Sequence, residues 1–211
     1  MFHTSKRFSG GKVLQKSVSK YNIFQLTASA ILIALGILIP MVAPRVVIGP
    51  ASFTLASHVV IFIAMFISPK VAVVVTLGTT LGFFIGGFPL VIVFRAASHL
   101  IWAWPGAVYL SRIDTFNISP VKLRIFSLII GLVHGVGEVI AVSIFFFGTG
   151  FPEHMTILWI LGFIGLGTVI HSMVDLEIAN VVRLVLQKQR HYRSLVSTKA
   201  ASTAPSPALD S

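Results

Sequence analysis

Three side chains capable of binding chemistry share one face of an apolar stretch. Arg95, His99 and Trp102 stand at positions i, i+4 and i+7. That spacing puts a guanidinium, an imidazole and an indole on the same side of a helix. A guanidinium offers a planar fork of N–H donors that matches a carboxylate, so this face could hold an anionic solute. The structural alternative is an ion pair between Arg95 and Glu138, in which two buried charges of opposite sign offset each other.

Histidines and carboxylates recur at helical spacing further along the chain. His134 and Glu138 are four residues apart, as are His171 and Asp175, and His58 stands in an earlier apolar stretch. One interpretation is that the imidazoles are neutral groups that hydrogen-bond between helices. The second is solute binding. A third is a divalent-metal carrier, because His and carboxylate pairs on adjacent helices can coordinate Zn or Co.

The acidic residues of the last apolar stretch are expected to play a different part. Asp175 and Glu177 fall towards its far end, where pairing with Arg183 or solvation is the more natural expectation. All of these polar side chains stand in apolar segments, so those segments must position them.

Those segments belong to a membrane protein. The mean hydropathy is +0.94, and 10% of the 211 residues are charged, whereas a soluble domain has about a quarter. Charge-free length predicts an all-α integral membrane protein with six spans, since about 20 apolar residues cross a bilayer as helix. The spans comprise residues 21–44, 51–68, 71–86, 88–110, 121–147 and 156–186.

Basic residues predict the orientation of these spans. With six spans, fourteen of the 16 Lys and Arg residues fall on one side, Arg45 alone falls on the other, and Arg95 lies within a span. The positive-inside rule then places both termini in the cytoplasm of a cell-membrane protein. Arg95 and most of the other polar groups consequently lie in the outer half or the middle of the bundle, as a site loaded from outside requires.

The same distribution of charges and apolar stretches predicts the flanking regions, and the sequence also argues against several function classes. Residues 1–22 form a basic cytoplasmic arm, residues 23–186 the membrane domain, and residues 187–211 a basic and then disordered tail. Because the charges flank apolar spans, anionic lipid headgroups explain them better than nucleic acid does. There is no phosphate-cradling motif, no Gly-x-Ser-x-Gly segment and no cysteine. We therefore expect no enzyme activity and neither a cofactor nor a resident metal.

Four stretches of the sequence resemble one family of transport proteins. They are residues 26–36, with the Ala30-xxx-Ala34 pair; residues 49–69, which include His58; residues 77–82; and residues 94–99, which read FRAASH. Over roughly residues 23–186 the chain is similar to the S components, the vitamin-binding membrane subunits, of energy-coupling factor (ECF) transporters.

The resemblance implies a solute and partners. It implies capture of a vitamin near the outer face and docking on a transmembrane T component with two cytoplasmic ATPases. Ala30 and Ala34 would contact the T component. The residues that would contact the vitamin are Arg95, His99, Trp102, His134, Glu138, His58 and His171. Arg95 and the neighbouring rings favour niacin, a small flat carboxylate, while pantothenate, folate, a thiamine precursor and riboflavin stay open.

Overall fold

The computed structural model of the chain describes residues 23–48, 51–153 and 156–189. The predicted basic arm, Gly49 and Pro50, and all but the first three residues of the predicted tail lie outside these ranges. Within them the chain is helical apart from one β-hairpin and the connecting loops. The elements are α1 (Ile23–Val42), β1 (Arg45–Ile48), β2 (Ala51–Thr54), α2 (Val59–Ile67), α3 (Pro69–Ile85), α4 (Leu90–Ser98), α5 (Leu100–Leu110), α6 (Pro120–Thr149), α7 (Ile157–Trp159), a π-helical segment (Ile160–Leu166) and α8 (Gly167–Gln187).

Four helical stretches are long and apolar enough to cross a membrane. They are Ile23–Val42, Leu90–Leu110, Pro120–Thr149 and Ile157–Gln187. Large apolar side chains lie exposed along all four, as expected of surfaces that face lipid. Helix α3 is also apolar but has 17 residues, and α2 has nine. An α-helical membrane protein is therefore confirmed, whereas six full crossings stay a prediction.

Two helix starts follow directly from capping chemistry. The Ser68 side chain accepts a hydrogen bond from the Val71 backbone N–H at 3.2 Å, and Pro69 occupies the first helical position of α3. Ser119 and Pro120 repeat this arrangement at the start of α6. A serine cap satisfies an unpaired N–H, and proline lacks the N–H that would otherwise be unpaired. The predicted boundaries at these Ser-Pro pairs are confirmed.

A β-hairpin replaces the first part of the second predicted span. Strands β1 and β2 pair antiparallel, with Arg45 opposite Thr54, and helix starts only at Val59. The prediction of a helix from residue 51 is therefore wrong over its first eight residues. Helix α2 has nine residues and measures about 13 Å, less than half of the hydrocarbon thickness. Charge-free length could not reveal this, because an uncharged extended segment looks the same as an uncharged helix in such a count.

Close packing of two helices depends on Gly78 and Gly82, which are four residues apart on α3. A Cβ placed on Gly82 would lie 2.1 Å from the Ile37 Cδ1 atom, and one on Gly78 would lie 2.4 Å from the Ile33 Cδ1 atom. Helices α1 and α3 thus approach through glycine faces, as small-xxx-small patterns predict. Gly135 brings α6 equally close to the backbone of the π-helical segment.

The loop between α5 and α6 is tied to the end of α8. The Arg183 guanidinium donates to the Thr115 carbonyl oxygen and lies over the Phe66 ring at 5.1 Å. Arg183 is 4% exposed, so it is buried in the helical bundle. In the same loop the Asn117 amide, with the Phe116 backbone N–H, lowers the pKa of Asp114 below its usual range.

Candidate functional site

The buried polar side chains gather at one place inside the bundle. This polar cluster consists of His58, Arg95, His99, His134, Glu138, His171 and Asp175. Helix α4 contributes Arg95, α6 contributes His134 and Glu138, and α8 contributes His171 and Asp175. His99 stands between α4 and α5, and His58 stands immediately before α2. All seven are less than a fifth exposed, and His134 and Asp175 are completely buried. The cluster unites every histidine and span-internal charge that the sequence analysis singled out as a solute contact.

Glu138 is the centre of one half of the polar cluster. Its Oε2 atom accepts hydrogen bonds from the Arg95 Nε at 3.0 Å and a terminal nitrogen at 2.7 Å. The Thr168 hydroxyl donates to the same oxygen at 2.8 Å. The other oxygen, Oε1, faces Nε2 of His99 and Nε2 of His134, each at 3.4 Å. The ion pair that the sequence analysis left open thus exists, and it uses one carboxylate oxygen.

Asp175 is the centre of the other half. Its Oδ1 atom accepts from the Ala56 backbone N–H at 3.0 Å, and its Oδ2 accepts from the His58 backbone N–H at 2.9 Å. Oδ2 also lies 3.2 Å from His58 Nδ1 and 3.3 Å from His171 Nε2. Asp175 was expected to pair with Arg183 or to be solvated. It is buried against the turn before α2, so the expectation of solvation is wrong. Glu177, two residues further on, is exposed as expected.

These contacts explain how a strained turn positions His58. Ala56 has a φ of 64°, a left-handed conformation that a residue with a Cβ adopts only at a cost. Asp175 binds the N–H groups on both sides of the turn, at Ala56 and His58. Because a carboxylate only accepts hydrogen bonds, the contact with Oδ2 also places the ring proton of His58 on Nδ1.

Trp102 lies beneath the imidazoles rather than at a membrane interface. Its side chain is completely buried, and its ring centroid is 4.8 Å from that of His134 and 4.9 Å from that of Phe62. The predicted shared face of Arg95, His99 and Trp102 is confirmed, because all three point towards the polar cluster. A hydrogen bond from Ser98 Oγ to the Arg95 carbonyl oxygen, 2.7 Å long, accompanies the short break between α4 and α5.

A small cavity opens beside the polar cluster, on the side of the hairpin. Its volume is about 80 Å³, and four cluster members line it: His58, Arg95, His99 and Glu138. Arg45, at the start of β1, lines the same cavity. Trp102, His134 and His171 lie behind these residues and are not among those that line it. The sequence analysis missed Arg45 as a site residue because it was counted only as the single basic residue of the outer loops.

The hairpin covers the polar cluster with an aromatic ring. Phe53 of β2 lies 5.7 Å from the His171 ring and 5.9 Å from the Arg95 guanidinium carbon. A Cβ on Gly167 would approach the Phe53 ring to 2.8 Å, so glycine allows this ring to lie against α8. Phe83 and Phe88 stack at 4.5 Å on another wall of the cavity. The only sequence signal for this cover was the Gly49-Pro50 pair between two β-branched or aromatic stretches.

A second cavity, of about 770 Å³, lies between α5, α6 and their connecting loop. Its lining is mostly apolar, and Trp102 separates it from the polar cluster. Its size alone does not make it a solute site, because its polar groups, Asp114, Asn117 and Lys122, lie on the loop side. The buried charged side chains and imidazoles lie at the smaller cavity instead.

Thr168 and Ser57 complete the polar cluster and were not expected. Thr168 bonds Glu138, and the Ser57 hydroxyl lies 3.2 Å from His58 Nδ1 and 3.1 Å from His171 Nε2. The spacing of Thr168, His171 and Asp175 at i, i+3 and i+7 could have revealed the first of them. Buried charges beside a cavity, inside a bundle of apolar helices, are features of an α-helical membrane protein with a candidate internal site.

Comparison with known proteins identifies the family. The chain is 39% identical over 190 residues to the niacin transporter NiaX of Lactococcus lactis subsp. cremoris, covering 89% of this chain and 85% of that protein. No protein-family model matches the sequence, and no solved structure matches it. The chain belongs to the family of this transporter, the S components of ECF transporters. It is accordingly a multi-pass membrane transport protein rather than an enzyme.

Proposed function

We propose that the chain captures a small carboxylate vitamin, with nicotinate as the favoured solute, in the cavity between the hairpin and the polar cluster. The observation that carries this proposal is the identity to a niacin transporter over most of both chains. Two arginines, two histidines and a pair of stacked phenylalanines around the cavity supply matching chemistry.

The size of the cavity supports a solute with one ring. At about 80 Å³ it is far below the roughly 300–1,000 Å³ of pockets that hold drug-sized ligands. Nicotinate is a single ring with one carboxylate, whereas folate and riboflavin have several rings. Pantothenate is the alternative carboxylate, and its flexible chain would need a longer cavity.

Arg45 is the proposed first contact for the solute carboxylate. It is exposed, and no ion pair joins it to another residue in the described part of the chain. Arg95 has five N–H donors, of which two are used on Glu138. It can therefore bind a solute carboxylate while it stays paired. His99 would face the pyridine nitrogen with Nδ1, the ring nitrogen that does not face Glu138.

Energy for uptake would come from partner proteins. We propose six passes with both termini in the cytoplasm, a T component against Ala30 and Ala34, and two cytoplasmic ATPases. The fourteen-to-one distribution of basic residues supports the orientation. Both alanines are exposed on α1, whereas Ser29, Leu32 and Gly36 are the buried residues of that helix.

Titration calorimetry on the purified full-length chain tests the solute. We expect nicotinate to bind more tightly than nicotinamide or pantothenate, because nicotinamide lacks the carboxylate. Arg45→Gln should weaken nicotinate binding by about 10- to 100-fold, since a charge-assisted hydrogen bond contributes about 1.5–3 kcal/mol.

The matched control is Arg112→Gln, an exposed arginine after α5 that does not line the cavity. It should bind nicotinate like the unaltered chain. Equal affinity for nicotinamide, or an unchanged affinity in Arg45→Gln, would contradict the proposal.

A further inference from the structure

Three imidazoles and one carboxylate oxygen converge on a single point within the polar cluster. One ligand atom from each of His58, His99, His134 and Glu138 lies within 4.8 Å of the others. The three rings stand edge to face, with centroids 4.7 Å apart for His58 and His99, 4.7 Å for His58 and His134, and 4.8 Å for His99 and His134. Such a group of nitrogen and oxygen donors is the ligand set of a zinc-class ion.

The His134 contact with Glu138 fits a shared ion better than a direct hydrogen bond, whereas the His99 contact is also a long hydrogen bond. Glu138 Oε1 lies 3.4 Å from Nε2 of His99 and 3.4 Å from Nε2 of His134, beyond the usual range of about 2.7–3.2 Å. Metal–ligand bonds of about 2.0–2.1 Å in a tetrahedron separate neighbouring ligand atoms by about 3.4 Å. His134 is completely buried, and neither ring nitrogen has an aligned hydrogen-bond partner.

An outer ring of partners leaves the correct atoms free. Asp175 binds Nδ1 of His58, so Nε2 of that ring carries the lone pair. Arg95 and Thr168 bind only Oε2 of Glu138, which leaves Oε1 for the ion. Carboxylates behind a histidine ligand and donors behind a carboxylate ligand are the usual second layer of metal sites.

The charge balance of the polar cluster also favours a bound cation. Glu138 and Asp175 are both at most 2% exposed, and Arg95, which is paired with Glu138, is the one cation among these three side chains. With neutral imidazoles these three side chains leave one net negative charge in the apolar interior, which is costly. A bound cation would offset that negative charge.

We propose that His58, His99, His134 and Glu138 bind one resident divalent transition-metal ion of the zinc class, in place of the sequence-based expectation of no metal. The second group of possible ligands, His58, His171 and Asp175, is a supporting network. Its distances of 3.1–3.3 Å run through the Ser57 hydroxyl and Oδ2 of Asp175, as hydrogen bonds do. The proposal does not depend on the identity of the solute.

Elemental analysis of the full-length chain, purified in detergent without chelator, tests the site. We expect one metal ion per chain, lost in His134→Ala and kept in His171→Ala. The opposite pattern would overturn the assignment of ligands. Ser127→Ala, another buried polar residue of α6, controls for a general disturbance of that helix and should keep the metal.

Co²⁺ binding to the wild-type protein tests the site without relying on the folding of any variant. Chelator-treated wild-type protein should bind one Co²⁺ and develop the visible absorption of a tetrahedral nitrogen–oxygen site. Asp175→Asn should weaken Co²⁺ binding about 10- to 100-fold, whereas Glu177→Gln, an exposed carboxylate on the same helix, should leave it unchanged. Absence of both copurified metal and Co²⁺ binding would overturn the proposal.

Nicotinate titrations of metal-stripped and metal-loaded protein separate the two proposals. If metal-loaded protein does not bind nicotinate, the proposed solute is wrong and the proposed metal site still stands.

Discussion

Glu138 divides its two oxygens between different tasks. Oε2 accepts three hydrogen bonds, two from Arg95 and one from Thr168. Oε1 faces two imidazoles. Because the side chain is 2% exposed, the pair with Arg95 has little contact with water, and its members depend on each other. Removing one of the two side chains should therefore lower the free energy of unfolding far more than removing both.

A double-mutant cycle on Arg95 and Glu138 tests this dependence in chelator-treated protein. Glu138→Leu leaves the guanidinium buried without its partner, so we expect it to lower the free energy of unfolding by about 3–5 kcal/mol. The double variant Arg95→Met/Glu138→Leu should lower the free energy of unfolding less than Glu138→Leu alone. The measurement is chemical unfolding in detergent micelles.

Glu177→Leu is the control for replacing a carboxylate by leucine. Its position on α8 is exposed, and it should change the free energy of unfolding by about 0.5 kcal/mol or less. Strictly additive losses for Arg95→Met and Glu138→Leu would contradict the ion pair as a stabilising unit.

Helical spacing could predict much of the polar cluster, and contacts between elements could not be predicted. The pairs Arg95 with His99, and His134 with Glu138, are brought together by a single helix turn, so counting residues was enough. Asp175 meets His58 across 117 positions of sequence, and no period in the chain encodes that contact. Arg45 was missed for the same reason, since only the folded hairpin brings it to the cavity.

At the scale of elements, the hairpin and the turn after it form one wall of the candidate site. Strand β2 carries Phe53 over the cluster, and the left-handed Ala56 redirects the chain into α2. Pro44, Gly49-Pro50 and Ser68-Pro69 are residue types that often end helices and strands. They could not indicate that the segment between the first two is extended, since strand pairing depends on a partner strand.

The turn itself can be tested by substitution at Ala56. Glycine adopts positive φ without steric cost, so Ala56→Gly should keep or raise the free energy of unfolding, by up to about 1 kcal/mol. Ala56→Val should lower it, because a β-branched side chain is disfavoured there. Thermal unfolding in detergent would measure both.

The control is Ala64→Gly, in the buried interior of α2. Glycine in a helix interior is destabilising by about 1 kcal/mol, so this change should have the opposite sign to Ala56→Gly. A clear loss in Ala56→Gly would show that the turn adopts another conformation in the membrane.

At the scale of the whole molecule, one side of α1 is available to a partner. The helix packs on α3 through the glycine contacts at Ile33 and Ile37, and its buried residues are Ser29, Leu32 and Gly36. Ala30 and Ala34 therefore lie on a surface separate from the solute cavity. A partner docked there could be lost without any change in solute binding, and this separation makes the proposed coupling testable.

Bulky substitutions on that surface should uncouple binding from uptake. Ala30→Trp and Ala34→Trp should prevent a partner helix from approaching closely, and overpacking of about 1–3 kcal/mol corresponds to roughly 5- to 150-fold weaker assembly. We expect uptake of radiolabelled nicotinate by cells to fall while calorimetric affinity stays the same. Leu35→Trp, at a position of α1 that is already 40% exposed, should affect neither. Loss of binding together with uptake would mean that the alanines maintain the fold, and full uptake in both alanine variants would remove this face of α1 from the coupling interface.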